Sequence, residues 1–287
     1  MSKIIVLGGQ GQLGQCLQSV CEDKAMVFLS SKEADISNEA QLEQWFIQYN
    51  PSHIINCAAY TAVDKAEDEK EEASKINTIA PGILARLCKR FDAILIHIST
   101  DFVFEGNQTG LLEETSIANP TGVYGQTKLD GETTIQQIWN KHIIIRTSWL
   151  YSEYANNFVK TMLRLAQDRE ELKVVADQVG TPTYARDLAE VLCKIIDNNI
   201  TEDEYGLYHY SNEGVASWYD FAYAVFELSN TNIRLFPIKT ADFPTKAKRP
   251  AYSVMDKSKI KKQFNLVIPN WRDSLKNCLQ RLKEIQN

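Results

Sequence analysis

Cysteine and histidine are too few and too scattered in this sequence to form a metal or disulfide pattern. The 287 residues include six cysteines, with no Cys-x-x-Cys pair, and four histidines that never approach one another at ligand spacing. Structural zinc sites need closely spaced ligands, and disulfide-rich folds need a dense cysteine framework. We therefore expect neither a zinc site nor a disulfide framework.

The chain also lacks long apolar runs and an excess of positive charge. The first apolar run, Ile4–Leu7, is followed at once by glycine and is too short for a signal peptide or a membrane span. A formal net charge of −6 argues against nucleic-acid binding, which rests on many lysine and arginine contacts. We expect a cytoplasmic protein that binds neither nucleic acid nor a membrane.

Short β-branched runs alternate with amphipathic stretches through the first half of the chain. This order predicts an α/β fold, a Rossmann-type doubly wound parallel sheet. The pattern becomes irregular later, so we expect a dinucleotide-binding domain at 1–150 and a mainly substrate-binding smaller C-terminal lobe at 151–287, with some segments returning to the first domain. The predicted strands are Ile4–Leu7, Met26–Leu29, Ile54–Cys57, Ile94–Ile98 and Ile143–Ile145, and the predicted helices are Gln12–Cys21, Gln41–Tyr49, Glu67–Arg90, Tyr124–Asn140, Phe158–Gln167, Asp187–Asp197, Trp218–Leu228 and Arg272–Ile285.

A glycine-rich segment lies between the first predicted strand and the first predicted helix. It places glycines at positions 8, 11 and 14. Glycines there allow a tight turn and let a pyrophosphate approach the free N–H groups of the helix. The segment predicts dinucleotide binding, although a glycine-rich turn without a ligand has the same local pattern.

Tyr124 and Lys128 stand four residues apart on a predicted helix. Their side chains share one face, so the ammonium can favour the phenolate and lower the tyrosine pKa towards working pH. Alone, such a pair indicates only a solvated helix face. Thr100, in the Ser99-Thr100-Asp101 segment after the fourth predicted strand, adds a hydroxyl, and together with the glycine turn these are the parts of a carbonyl reductase.

The sequence resembles an extended short-chain dehydrogenase/reductase and, more narrowly, the dTDP-4-dehydrorhamnose reductase family. The matching segments, spread over nearly the whole chain, are 56–67, 99–104, 146–149, 156–158, 177–183 and 249–253. The resemblance implies NAD(P)H-dependent reduction of the C4 keto group of dTDP-4-dehydro-L-rhamnose to dTDP-L-rhamnose, in the biosynthesis of cell-surface polysaccharide precursors.

The resemblance also implies roles for individual residues. Thr100, Tyr124 and Lys128 would be the catalytic residues, with Tyr124 as the acid, Thr100 also against the substrate, and Lys128 also on the nicotinamide ribose. Cofactor binding would involve Gly8, Gly11, Gln12, Leu13 and Gly14 at the pyrophosphate, Asp35 and Ile36 at the adenine, and Ala58, Ala59 and Thr61 elsewhere on the dinucleotide. The sugar nucleotide would be held by Trp149, Asn157 and Arg249.

Two positions depart from the family pattern. Phe102 stands where the family usually has tyrosine, so a hydroxyl near the substrate is missing. Cys16 stands where some members carry an acidic residue of a metal-linked dimer contact. A thiol is a poor ligand for a hard cation. We therefore expect no metal, and a monomer or weak homodimer.

The cofactor preference depends on the tip of the second predicted strand. Enzymes selective for NAD place a carboxylate there, against the ribose 2′-hydroxyl. Here the tip reads Ser30-Ser31-Lys32, and a cation can contact the 2′-phosphate of NADPH. We expect NADPH to be used at least as readily as NADH. Two alternatives remain open: Lys32 is a solvated side chain, or Glu33 or Asp35 folds back towards the ribose.

Two other functions remain open at this stage. The first is another extended-type sugar-nucleotide enzyme, such as a 4-epimerase or a related ketoreductase, which the segments containing Asn157 and Arg249 disfavour. The second is a cofactor-binding regulatory subunit without turnover, since a fold does not imply a function. The presence of Thr100, Tyr124 and Lys128 argues against it.

Overall fold

A central parallel sheet organises the protein in a computed structural model that describes residues 3–22, 24–198 and 200–286. The strands are β1 (Ile4–Leu7), β2 (Met26–Leu29), β3 (His53–Asn56), β4 (Ile94–Thr100), β5 (His142–Thr147), β6 (Leu150–Tyr151), β7 (Glu171–Val175), β8 (Val179–Gly180), β9 (Thr183–Tyr184), β10 (Gly206–His209), β11 (Ala216–Ser217) and β12 (Arg234–Ile238). Six of them form the main sheet in the order β2-β1-β3-β4-β5-β10, and every pairing is parallel. The predicted Rossmann-type α/β fold is confirmed.

Helices cover both faces of this sheet. They are α1 (Gln12–Val20), α2 (Glu39–Tyr49), α3 (Val63–Ala66), α4 (Lys70–Ser74), α5 (Ala80–Phe91), α6 (Val123–Ile138), α7 (Phe158–Asp168), α8 (Ala185–Asp197), α9 (Trp218–Ser229), α10 (Ser258–Gln263) and α11 (Trp271–Gln286). Successive residues of β1 enter different cores, with Ile4 and Val6 on one face and Ile5 and Leu7 on the other. Burial on both faces explains why the strands read as continuous apolar runs.

The C-terminal half contributes to two regions. Residues of α8, β10 and α10 complete the core on the α1 face of the sheet, and β10 pairs with β5 as the edge strand. A separate apolar core joins α7, α9 and α11. The division of the chain near residue 150 stays a prediction.

The strand order reverses beside β1, because β2 pairs on one side of it and β3 on the other. Open α/β sheets bind their ligands in the crevice outside the carboxyl ends of the strands at such a point. The glycine turn follows β1 at this edge, and the Ala58-Ala59 segment follows β3. The topology therefore brings together two segments that the sequence associated with a dinucleotide.

The predicted helix at Glu67–Arg90 is not one regular α-helix. The helical run begins at Lys70, after α3 has ended at Ala66, and consists of α4, a π-helical segment at Lys75–Ile79, and α5. The π-helical segment contains Asn77, whose side-chain Oδ1 accepts from the Tyr60 N–H at 2.9 Å and whose Nδ2 donates to the Tyr60 carbonyl at 3.1 Å. This long-range pairing has no local signature in the sequence.

Two of the cysteines meet in the fold. The structure pairs Cys21, at the end of α1, with Cys193 in α8, with their Cα atoms 6.5 Å apart, which is a single pair and not the disulfide framework that the sequence argued against. The two residues are 172 positions apart in the chain, and only the packing of α1 on α8 brings them together. Within the described ranges, no helix is long and apolar enough to cross a membrane.

Gly14 is required by the close packing of α1 on the turn before it. A Cβ atom at Gly14 would lie 2.5 Å from the Gly8 carbonyl oxygen and 2.7 Å from the Gly9 backbone. Because the obstructing atoms belong to the backbone, we expect Gly14→Ala to lower the free energy of unfolding by about 1–3 kcal/mol. Denaturant unfolding measures the loss. Gln10→Ala, an exposed position of the same turn, is the matched control and should change stability little.

Candidate active site

The glycine turn and the loop after β3 touch each other. Gly8 has φ of 78°, and a Cβ atom there would lie 2.8 Å from the Ala58 backbone nitrogen. Only glycine fits this left-handed and crowded position. Gly8 therefore allows the glycine turn to pack directly against the Ala58-Ala59-Thr61 segment.

The N-terminus of α1 fits an anion. Gly11 is its N-cap and provides no side-chain cap, so the first N–H groups of the helix do not donate to a capping side chain. Such a terminus combines free donors with the positive end of the helix dipole. The predicted pyrophosphate position therefore fits the backbone of 11–14. The side chain of Leu13 is buried in the core, so only its backbone faces this position.

The side chain of Gln12 is used inside the protein. Its Oε1 accepts from Ser152 Oγ at 3.0 Å and from Asn157 Nδ2 at 3.1 Å. Gln12 therefore links the glycine turn to the segment that follows β6.

A carboxylate, that of Glu33, and a cation, Lys32, both lie at the tip of β2. Glu33 folds back, and its Oε2 accepts from the Ser30 N–H at 2.8 Å and from Ser30 Oγ at 2.6 Å, which lowers the pKa of its carboxyl. Lys32 is exposed beside it. Asp35 accepts from the N–H and hydroxyl of Ser37, and Ile36 is buried. The carboxylate that the sequence left as an alternative thus lies at the tip itself.

The three predicted catalytic residues occupy the carboxyl end of β4 and the first two turns of α6. Thr100 is the last residue of β4 rather than the start of a loop. Tyr124 and Lys128 lie on α6, and the ring of Phe102 meets that of Tyr124 edge-on with centroids 5.5 Å apart. The structure therefore brings this part of the predicted site together.

The expected lowering of the Tyr124 pKa is wrong for the protein without ligands. Burial raises the pKa of Tyr124 to about 12, the nearby carboxyl of Asp101 also raises it, and a hydrogen bond from Thr100 opposes both. The Lys128 ammonium nitrogen points elsewhere, with Nζ 2.6 Å from the Ile98 carbonyl oxygen and 3.2 Å from His97 Nε2. Spacing on the helix predicted a shared face but not this competing set of partners.

A cavity of about 720 Å³ opens beside Phe102 and Asp101. Asp101 is 2% exposed, its Oδ2 has no hydrogen-bond partner among the residues that the structure describes, and burial raises its pKa to about 6. The aromatic walls of the cavity include Trp149, Phe158 and Trp218. A cavity of this size, mostly apolar with a few polar groups, suits a small organic ligand.

Trp149 lies in this cavity in a strained conformation. Its φ is 46°, and its ring stacks on Trp218 with centroids 3.6 Å apart. A bulky residue in the left-handed region costs about 1–3 kcal/mol and commonly marks a ligand site. The strain supports the predicted binding role of Trp149.

Arg249 lines the same cavity but is already paired. Its Nη1 and Nη2 donate to the two carboxylate oxygens of Asp64, at 2.9 and 2.7 Å, and this pairing lowers the pKa of Asp64 to about 2. The structure thus makes Asp64 the partner of a predicted binding cation.

Asn157 does not lie among the residues that line the cavity. Its Oδ1 caps α7 by accepting from the Lys160 N–H at 3.2 Å, and its Nδ2 contacts Gln12 Oε1 at 3.1 Å and the Ser152 carbonyl oxygen at 2.7 Å. The prediction that Asn157 contacts the sugar nucleotide therefore lacks support in the structure. The helix cap was visible in the sequence as Asn before an apolar periodic run.

Sequence reasoning missed several cavity residues. The sequence assigned no binding role to six residues that line the cavity: Asp101, Phe158, Gln178, Trp218, Phe243 and Ser253. The first three and Ser253 lie in segments that match the family, whereas Trp218 and Phe243 lie in none of them. Trp149, directly before β6, stacks on Trp218, at the start of α9, and neither segment has a periodic pattern that predicts this pair.

These features define a class of protein, a Rossmann-type dinucleotide-binding fold with a Tyr-x-x-x-Lys helix beside an aromatic cavity. The family described as RmlD substrate binding domain matches residues 2–284, and the chain belongs to this family. A dTDP-4-dehydrorhamnose reductase of Aggregatibacter actinomycetemcomitans is 42% identical, over 96% of this chain and 98% of that protein.

Two solved structures resemble the whole chain. A dTDP-4-dehydrorhamnose reductase of Clostridium acetobutylicum is 40% identical with a TM-score of 0.92, over 98% of this chain and 99% of that one. One from Bacillus anthracis, solved in complex with NADP, is 39% identical with a TM-score of 0.93, over 98% of this chain and 100% of that one.

The role of Asn157 can be tested through stability. Asn157→Ala removes the cap of α7 and should lower the free energy of unfolding by about 1 kcal/mol, whereas Asn157→Ser keeps a capping oxygen and should recover most of it. Denaturant unfolding of both variants measures the difference. Unchanged stability with weakened sugar-nucleotide binding would instead support the role in substrate binding.

Proposed function

We propose that this protein is an NADPH-dependent reductase that converts the C4 keto group of dTDP-4-dehydro-L-rhamnose to the hydroxyl of dTDP-L-rhamnose. The observation that carries the proposal is the conjunction of Tyr124 and Lys128 on α6 with the adjoining aromatic cavity and the glycine turn. The relatives named for this activity, similar over nearly their full length, support it.

Tyr124 acts as the acid in this reaction. When bound, the reduced nicotinamide supplies the hydride. The raised pKa of about 12 keeps Tyr124 protonated at neutral pH, so its phenol can donate a proton to the carbonyl oxygen. Thr100 hydrogen-bonds the phenol and stabilises the phenolate that remains. Lys128, charged, favours the same phenolate and holds the ribose of the cofactor.

The cavity beside Phe102 is the proposed place of the sugar nucleotide. Trp149 and Trp218 offer flat apolar faces to a base or sugar ring, and Arg249 offers a guanidinium to the diphosphate. Asp64 holds Arg249 in the absence of that ligand. Phe102 has no hydroxyl, and the neighbouring Asp101 contributes a polar group to the lining of the cavity.

A coupled assay tests the activity. Supplying dTDP-4-dehydro-L-rhamnose with NADPH should consume the reduced cofactor, followed by loss of its absorbance, with one dTDP-L-rhamnose formed for each NADPH oxidised. Conversion of a sugar nucleotide without net cofactor consumption would favour a 4-epimerase. No oxidation with any keto-sugar nucleotide would favour a regulatory subunit. We propose a monomer or weak homodimer in solution and a cytoplasmic location.

Replacement of Tyr124 by phenylalanine should remove the proton donor without changing the shape of the site. We expect kcat to fall roughly 10²–10⁴-fold, with dinucleotide affinity nearly intact. Single-turnover kinetics and a binding titration separate the two effects. Tyr223→Phe, exposed on α9, is the control and should keep full activity. A Tyr124→Phe enzyme with a tenth of the wild-type kcat would exclude Tyr124 as the acid.

The charged residues at the tip of β2 set the cofactor preference. We expect Lys32→Ala to lower kcat/KM for NADPH by about fivefold, near 1 kcal/mol, and to leave NADH unaffected. Glu33→Gln removes the carboxylate that repels the 2′-phosphate and should raise kcat/KM for NADPH. Steady-state kinetics with both cofactors measure this, with Lys89→Ala on α5 as the control. Wild-type enzyme that prefers NADH tenfold would contradict the assignment.

A further inference from the structure

A row of buried polar side chains leads from the interior of the sheet to Lys128. Asn56 on β3 lies beside His97 on β4 in the parallel register, and His97 lies beside Lys128 on α6. The three residues are 1%, 1% and 2% exposed. Polar groups this deeply buried are costly unless their donors and acceptors match.

The amide of Asn56 can take only one orientation. Its Oδ1 lies 3.2 Å from the Ala58 backbone nitrogen, which is a donor, so the oxygen and not the NH₂ group must face it. The Nδ2 group then faces His97 Nδ1 at 3.1 Å. Because Nδ2 can only donate, His97 Nδ1 must accept and carries no proton.

This orientation fixes the tautomer of His97. A neutral imidazole without a proton on Nδ1 carries it on Nε2. His97 Nε2 is 3.2 Å from Lys128 Nζ, so its N–H points at the lysine nitrogen. An ammonium group cannot accept a hydrogen bond, whereas an uncharged amine can. The amine can also donate to the Ile98 carbonyl oxygen, 2.6 Å away.

We propose that Asn56 and His97 are positioning residues for Lys128. Asn56 holds the proton of His97 on Nε2, and the resulting Nε2–H favours the uncharged amine form of Lys128. The inference deepens the proposed reductase function, on which its catalytic consequence rests. The lysine is thereby able to release and regain a proton near neutral pH. Its charge supports catalysis below that transition and is lost above it.

The electrostatics of the region agree with this arrangement. Burial lowers the pKa of Lys128 to about 8, opposed by Glu132. Burial and the neighbouring Lys128 both hold the pKa of His97 well below its ordinary value, so the imidazole stays neutral. Arg146 pairs with Glu132 and offsets part of the negative charge. Among the described residues, the titratable or charged groups that surrounding elements bring to the region are His97, Asp101, Tyr124, Glu132 and Arg146.

The tautomer can be observed without any turnover. In protein labelled with ¹⁵N-histidine, two-bond ¹H–¹⁵N correlation spectra distinguish a proton on Nδ1 from one on Nε2. His142 and His209 serve as internal references, because their Nδ1 atoms face the backbone carbonyl oxygens of Trp139 and Leu112 and should carry protons. We expect His97, assigned with His97→Gln, to show the opposite pattern. A proton on Nδ1 of His97 would overturn the proposal.

Asn56→Asp reverses the arrangement with almost no change in shape. Its carboxylate can accept from His97 Nδ1–H, which frees the Nε2 lone pair to accept from the Lys128 ammonium. We expect the Lys128 pKa to rise by about one unit or more, measured by ¹³C NMR of labelled lysine assigned with Lys128→Met. His97→Gln, whose amide oxygen can face the ammonium without adding a charge, should shift it in the same direction. His53→Gln, at the opposite end of β3, should leave it unchanged.

The kinetic consequence separates positioning from a structural role. The alkaline limb of the kcat/KM profile should move to higher pH in Asn56→Asp along with the lysine pKa. A loss of kcat with an unmoved limb and an unmoved lysine pKa would overturn the proposal. If the expected tautomer and lysine pKa are found while dTDP-4-dehydro-L-rhamnose is not reduced, the proposed substrate is wrong and the link between His97 and Lys128 stands.

Discussion

A buried ion pair fixes the helix that carries the candidate catalytic residues. Glu132 of α6 and Arg146 of β5 meet at 2.7 Å with side chains 2% and 4% exposed, and the hydroxyl of Ser99 on β4 also donates to Glu132. A buried charge that loses its partner costs about 3–5 kcal/mol, so helix and strands cannot slide independently. Lys128 and Tyr124 lie one and two turns before Glu132, and their position above the end of β4 depends on this contact.

Burial drives both of these groups towards their uncharged forms. The pKa of Tyr124 rises and that of Lys128 falls, each chiefly because the charged form is desolvated. A raised pKa favours the role of tyrosine as an acid, because the phenol stays protonated until it donates its proton to a carbonyl oxygen. The lysine depends on its neighbours, because Glu132 favours its charge while the N–H of His97 opposes it.

Part of this site was predictable and part was not. The glycine turn, the Tyr-x-x-x-Lys pair and the alternation of strands and helices are local patterns, and the structure places them as the patterns indicate. The interruption around Asn77, the pairing of Arg249 with Asp64 and the link from Asn157 to Gln12 involve residues far apart in sequence. Such contacts leave no periodicity, so neither the interruption nor the partners of these residues could be predicted from the sequence.

The sequence by itself determined the fold class, because hydrophobic period and glycine position are set by the backbone geometry of strand, turn and helix. It also determined which residues could carry reductase chemistry. Tertiary structure alone decided their protonation and partners. Lys128 faces His97 rather than Tyr124, Cys21 meets Cys193, and Trp149 stacks on Trp218, since each pairing arises only when separate elements pack together. Desolvation, which moves the pKa values of the site, likewise exists only once the chain has folded.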